Sequence, residues 1–167
     1  MENNKKPSLL RKLLGGESGE SKYLKLSYSE NYFGRVDENN NPHGYGEMKF
    51  INGAHYEGIF KDGYREGYGE TTCKKGYLNI GNWKCDRIDS GFLVDDSGIY
   101  TILGSKKTGQ IKCNEIQDNK IKERILEYQK NTPKDTPKDT PQNTVDLANC
   151  CSLGVFLQGF GQFFRFS

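Results

Sequence analysis

The chain is poor in what most catalysts and nucleic-acid binders need. Only two of its 167 residues are histidine, and neither His43 nor His55 has a partnered nucleophile in view. It has no Gly-rich phosphate loop ending in Lys-Ser/Thr and no nucleophile elbow. The five cysteines, Cys73, Cys85, Cys113, Cys150 and Cys151, are an odd set without Cys-x-x-Cys spacing, and no cluster of His and Cys completes a metal site. No metal or cofactor is therefore expected. The 24 basic and 22 acidic residues leave a net charge of +2 with no concentrated basic face, which excludes a nucleic-acid partner. No apolar core of a secretory signal stands near the start, and with the unpaired cysteine count this predicts a reducing, cytoplasmic setting. A hydrophobic content of 34% allows one small ordered domain and much solvated chain.

Glycine is what the chain has in quantity, and its placement is periodic. Gly34, Gly58, Gly81 and Gly104 are spaced by 24, 23 and 23 residues; Gly46, Gly69 and Gly91 by 23 and 22; Gly53, Gly76 and Gly98 again by 23 and 22. Three registers with one period define a repeat array, with units near 32–53, 56–76 and 79–98 in a domain of residues 22–104.

The middle unit shows what the period means. In an extended strand Tyr56, Gly58 and Phe60 share one face, opposite Glu57, Ile59 and Lys61. The next run places Gly67, Gly69 and Thr71 opposite Tyr68, Glu70 and Thr72. Asp62-Gly63 between the runs is turn chemistry, as are Asn52-Gly53 and Lys75-Gly76 between units. Each unit reads as a β-hairpin. A glycine inside a strand costs roughly 0.5–1 kcal/mol relative to alanine, so something must offset several per unit. Aromatic rings lying over the bare backbone of the neighbouring strand supply that offset. One hairpin alone is marginal in water, so the units must join into a continuous sheet.

These residues resemble the MORN (membrane occupation and recognition nexus) repeat. Tyr56-Glu57-Gly58-Ile59-Phe60, Gly67-Tyr68-Gly69 and Gly76 carry the likeness, echoed in the first unit by Gly44-Tyr45-Gly46. The third unit departs: aligning Gly91 with Gly69 needs a one-residue deletion and puts Asp89 where the doublet's first glycine should stand. A degenerate outer unit suits a cap. The resemblance implies a non-enzymatic binding scaffold, associated with membrane junctions or with cytoskeletal and ciliary assemblies. Some proteins with this repeat continue into a methyltransferase or lipid-kinase domain, and no motif for either is present.

The flanks read differently. Residues 1–21 form a flexible tail in which Leu9, Leu10, Leu13 and Leu14 make a short apolar stripe beside Arg11 and Lys12. About two turns long, it forms only on docking, either on the sheet or on an anionic membrane. Residues 22–28 are a lead-in strand, and residues 99–103 a strand that ends the sheet. Within 105–130, residues 115–130 read as an amphipathic helix capped by Asn114, with Ile121, Ile125, Leu126 and Tyr128 on one side, covering the sheet. Residues 131–144 are a Thr-Pro-Lys-Asp linker. Residues 145–167 hold five of the nine phenylalanines and the Cys150-Cys151 pair. This tail is too short and interrupted to span a bilayer as a helix. Two roles stay open for it: a lipid contact with Cys150 and Cys151 as acylation sites, or docking as an aromatic peptide.

The architecture expected is a mainly β, single-layer antiparallel sheet of stacked hairpins with one C-terminal helix and flexible tails. Its binding site would be a glycine-floored groove lined by Tyr32, Tyr56, Phe60 and Trp83, with Phe50 at the edge, taking a partner helix or extended peptide. The other reading of the same rings is internal packing between hairpins. The carboxylates Glu47, Glu57 and Glu70 read as solvated positions. The alternative function is a membrane-apposed tether that holds lipid through both tails.

Overall fold

Alternating small and aromatic residues make each run a strand, and the short turns force successive strands to pair. The computed structural model describes residues 21–74 and 76–132. Nine strands, β1 (Lys22–Leu24), β2 (Ser29–Val36), β3 (Pro42–Phe50), β4 (His55–Lys61), β5 (Tyr64–Cys73), β6 (Tyr77–Lys84), β7 (Arg87–Asp95), β8 (Gly98–Leu103) and β9 (Lys106–Ile111), form one open sheet. They pair antiparallel in chain order. A 3-10 turn (Cys113–Glu115) leads to one helix, α1 (Asn119–Asn131).

The glycine period appears in space as one rung. Gly34 faces Gly46, Gly46 faces Gly58, Gly58 faces Gly69, Gly69 faces Gly81 and Gly81 faces Gly91, so six adjacent strands place glycine side by side. A methyl group on Gly58 would lie 2.5 Å from the Gly69 Cα and 2.5 Å from the Tyr56 hydroxyl. The tyrosine ring therefore fills the space that the two missing side chains leave, and its hydroxyl donates to the Ile59 carbonyl at 3.0 Å. Tyr32 does the same over Gly34 and Gly46, donating to the Arg35 carbonyl at 2.5 Å. In the third unit Asn79 stands where the tyrosines stand. The rung there closes backbone to backbone, and a methyl on Gly81 would sit 2.2 Å from the Ser90 carbonyl oxygen.

The Asp62-Gly63 turn adopts φ of 51° and 87°, as its sequence predicts. The equivalent turn one unit later, Cys85-Asp86, adopts 46° and 66° with no glycine at all. Left-handed backbone at two non-glycine residues is costly, and here Asp86 is held by contacts to Arg65 described below.

Three boundaries differ from expectation. The sheet continues past residues 99–103, because Gly104 and Ser105 turn at φ of 57° and 62° and bring back β9, whose polar sequence hides its strand character. The helix starts at Asn119, capped by Asp118 rather than Asn114. The Asp118 carboxylate accepts the Lys120 and Ile121 amides at 2.8 and 3.1 Å. Ile116, buried in extended conformation, interrupts the earlier start. The lead-in strand stops at Leu24, after which Leu26 and Tyr28 turn onto the sheet. The short amphipathic segment near the start, the Thr-Pro-Lys-Asp linker, and the tail with Cys150 and Cys151 lie outside the described residues. Among the described residues no helix is long and apolar enough to cross a membrane.

Candidate docking surface

The two faces of the sheet have different chemistry. Strand alternation and register bring Tyr32, Met48, Tyr56 and Thr71 to one face in adjoining strands, with Phe60 and Trp83 on the same face beyond the glycine rung. All four predicted groove residues meet there. Tyr32 and Phe60 contact edge to face at 5.3 Å between centroids, Tyr56 and Phe60 at 5.0 Å, and Tyr56 and Trp83 at 5.4 Å. The Trp83 indole N–H donates to the Gly69 carbonyl at 3.1 Å.

That arrangement is a core rather than an open groove. Tyr32, Tyr56, Phe60 and Trp83 are only 0–3% exposed, and Phe50 is 7% exposed. Leu24, Leu26, Tyr28, Val36 and Ile88 pack against them from the flanks. Burial, with Asp86 and Tyr64 nearby, pushes the Tyr28 hydroxyl up to about 12. Arg65 completes the seal. Its guanidinium lies 4.5 Å from the Trp83 centroid, 5.3 Å from Phe50 and 5.6 Å from Tyr56. Its Nε donates to Asp86 Oδ1 at 3.0 Å and its Nη2 to the Asp86 carbonyl at 2.6 Å. The Arg65 amide also reaches Asp86 Oδ1 at 2.9 Å. A buried cation is tolerated when it is paired and its flat faces are covered, and here Asp86 pairs it and the rings cover it. Nothing in the repeat glycines pointed to Arg65.

The opposite face carries a row of register partners: Phe33, Glu47, Glu57, Glu70, Ile80 and Phe92, from β2 to β7. Three carboxylates stand in the middle, with apolar side chains at either end. The expectation that these glutamates are solvated fails for two of them, since Glu57 is 6% and Glu70 5% exposed. α1 is the reason for Glu70. Arg124 reaches it through Nε at 3.1 and 2.8 Å and through Nη2 at 2.6 Å, a bidentate clasp across 54 residues of sequence. Ile125, the next residue, is fully buried in a cluster with Leu78, Ile80, Val94, Ile99 and Ile116. Burial, with Glu70 and Glu47 beside it, pushes the Glu57 carboxyl up to about 7 against the pull of a hydrogen bond from the Tyr45 hydroxyl. Glu47 lies 3.9 Å from His55 Nε2.

α1 covers only the β5–β8 half of this face. Toward β1 the same face presents Tyr23, 78% exposed, stacked on half-buried Phe33 at 4.4 Å, followed by half-buried Tyr45 and Ile59. This half, apolar at its edge and acidic toward the centre, is left uncovered by α1. Among the described residues no group of His, Cys, Asp and Glu could hold a metal ion.

A meander of glycine-rich hairpins with a sealed aromatic face and a helix-covered acidic face defines a single-layer hairpin-repeat protein. The family model for the MORN repeat matches residues 38–55 and 56–76. The chain is a MORN-repeat protein, and the matched residues are those with intact Gly-Tyr-Gly doublets. The third hairpin, with Asp89 in place of the doublet glycine, falls outside the match while keeping its place on the glycine rung. A comparison with curated proteins gives no match. MORN repeats are typically protein- or membrane-binding scaffolds and generally not enzymes.

Proposed function

We propose that this chain is a non-enzymatic scaffold that binds an amphipathic, basic helix of a protein partner on the open half of its acidic face. The observation that carries this reading is α1 itself. The chain's own helix lies on that face with an isoleucine sealed into the sheet and an arginine on a glutamate of the row. The row continues through Glu57 to Glu47, and the apolar edge of Tyr23, Phe33 and Ile59 continues beyond them. An incoming helix with the same pattern would find the same two features. The aromatic face offers no such site, because Arg65 and the residues from Leu24 to Tyr28 already occupy it.

The test is a titration of the full chain with a labelled peptide copying residues 119–131. Saturable binding is expected, weakened on the order of tenfold, or about 1.4 kcal/mol, by Glu47→Lys together with Ile59→Ser. Equal binding to both proteins would place the peptide elsewhere and defeat the reading. The tether alternative depends on residues 7–14 and 145–167, and flotation with anionic vesicles, with and without the latter, tests it separately.

A further inference from the structure

The helix that covers one half of the acidic face has a counterpart in sequence elsewhere in the chain. α1 docks through Ile121-x-x-Arg124-Ile125. Residues 9–13 read Leu9-x-x-Lys12-Leu13, with an aliphatic residue, a cation and an aliphatic residue at the same offsets. We infer that residues 7–14 dock in cis as a short second helix on the open half, beside α1, with Lys12 on Glu47 as Arg124 is on Glu70. This inference rests on the docking-face reading and names the occupant.

The sheet is built to receive such a pair. The row Phe33, Glu47, Glu57, Glu70, Ile80, Phe92 is acidic in the middle and apolar at both ends. At one end Ile80 and Phe92 floor the cluster that holds Ile125, and Glu70 takes Arg124. At the other end Phe33, stacked under Tyr23, stands in the place of Ile80 and Phe92, and Glu47 in the place of Glu70. Leu9 and Leu13 would cover Phe33, Tyr45 and Ile59, as Ile121 and Ile125 cover their own floor. Of the other charges on this half, Lys49 is engaged by Glu30 and His55 lies 3.9 Å from Glu47, while Arg35 and Lys61 stand two residues beyond Phe33 and Ile59 on their strands.

α1 seats Ile125 among Leu78, Ile80, Val94 and Ile99 and reaches Glu70 of β5 through Arg124. Glu47 is two strands from Glu70 on the same row, about 9.6 Å at the usual strand separation. The tether reaches. Residue 21 leads into β1, whose Tyr23 pairs with Phe33, itself paired with Glu47. Seven residues, three of them glycine, separate Leu14 from Lys22, and they extend up to about 23 Å, more than the two strand spacings required. A stretch too short to be helical alone becomes helical where Leu9 and Leu13 can be buried.

The experiment places a photoreactive benzoylphenylalanine at position 13 of the full chain and maps its crosslinks by mass spectrometry. Intramolecular crosslinks to the peptides holding Phe33, Tyr45 or Ile59 are expected. Lys12→Glu should reduce their yield severalfold, and Lys12→Glu combined with Glu47→Lys should restore it. Crosslinks only to the residue 24–28 segment, only between chains, or to no part of the sheet overturn the inference, as does capture by phosphatidylserine vesicles in place of the intramolecular product. The two readings fail separately. If the residue 119–131 peptide binds equally well to the full chain and to one lacking residues 1–14, the cis occupant falls and the docking face stands. If it binds neither, the docking face falls as well.

Discussion

The guanidinium carbon of Arg65 lies 4.5 Å from the centroid of Trp83, while the Arg65 Nε donates to Asp86. This one stack helps to close the aromatic face of the sheet. It lays a cation over the rings that a partner would otherwise touch, and it ties the turn of one hairpin to the turn of the next. Asp86 pairs the charge and the rings pack against it, so the aromatic face is closed within the chain.

Truncating Trp83 should therefore unfold rather than merely blunt the protein. Trp83→Ala removes a buried ring, a hydrogen bond to Gly69 and one face of the Arg65 cage, and large-to-small changes of this kind cost about 3–5 kcal/mol. Urea denaturation followed by far-UV circular dichroism should show the midpoint falling accordingly. Lost peptide binding with an unchanged midpoint would mean the ring is a contact surface after all.

The glycine rung should be far less tolerant than an ordinary strand glycine. Gly58→Ala would force a methyl to within 2.5 Å of both the Gly69 Cα and the Tyr56 hydroxyl, so the strands or the ring must move. A loss of about 2–4 kcal/mol is expected, comparable to other overpacking and strain. At Gly109 the nearest atom to an added methyl is 3.8 Å away, and Gly109→Ala should stay within about 0.5 kcal/mol of the parent. Similar stabilities for the two variants would contradict the tight rung.

Glu57 should make the protein less stable as pH rises. Its folded carboxyl titrates at about 7, above the ordinary 4.5, so the folded state binds the proton more tightly than the unfolded chain does. Stability contributed by the neutral form is complete below about pH 4.5 and is lost as pH climbs to about 7. By linkage that loss is about 3 kcal/mol at most. Glu57→Gln should remove it, so the difference in thermal midpoint between variant and parent should grow between pH 5 and 7.5. A constant difference across that window would show that Glu57 is charged throughout.

Cutting the clasp should loosen α1 without dissolving the sheet. Arg124→Ala leaves the buried Glu70 carboxylate without its bidentate partner, a change costing about 3–5 kcal/mol when a buried pair is broken. Amide hydrogen exchange across Asn119–Asn131 should accelerate by orders of magnitude, while the β3–β5 amides change little. Uniform acceleration throughout would mean that helix and sheet unfold as one unit.

The period of the glycines, the alternation around them and the Asp62-Gly63 turn made the hairpins and their order legible in the sequence, because each rests on contacts between close neighbours in the chain. β9 was hidden behind lysines and a polar run that carry no strand alternation. The Cys85-Asp86 turn was hidden because its left-handed residues have side chains. The helix start moved because Ile116 found a place in the core, which no local pattern announces.

The sequence by itself determined that hairpins repeat every 22–24 residues and that rings must lie on glycines, since bare strand backbone needs cover from within the chain. Only the tertiary structure decided which face is closed by rings and which is half covered by α1. That choice turns on Arg65 stacking on Trp83 and on Arg124 reaching Glu70 from 54 residues away. Both depend on burial and distance in space, to which residue order gives no measure.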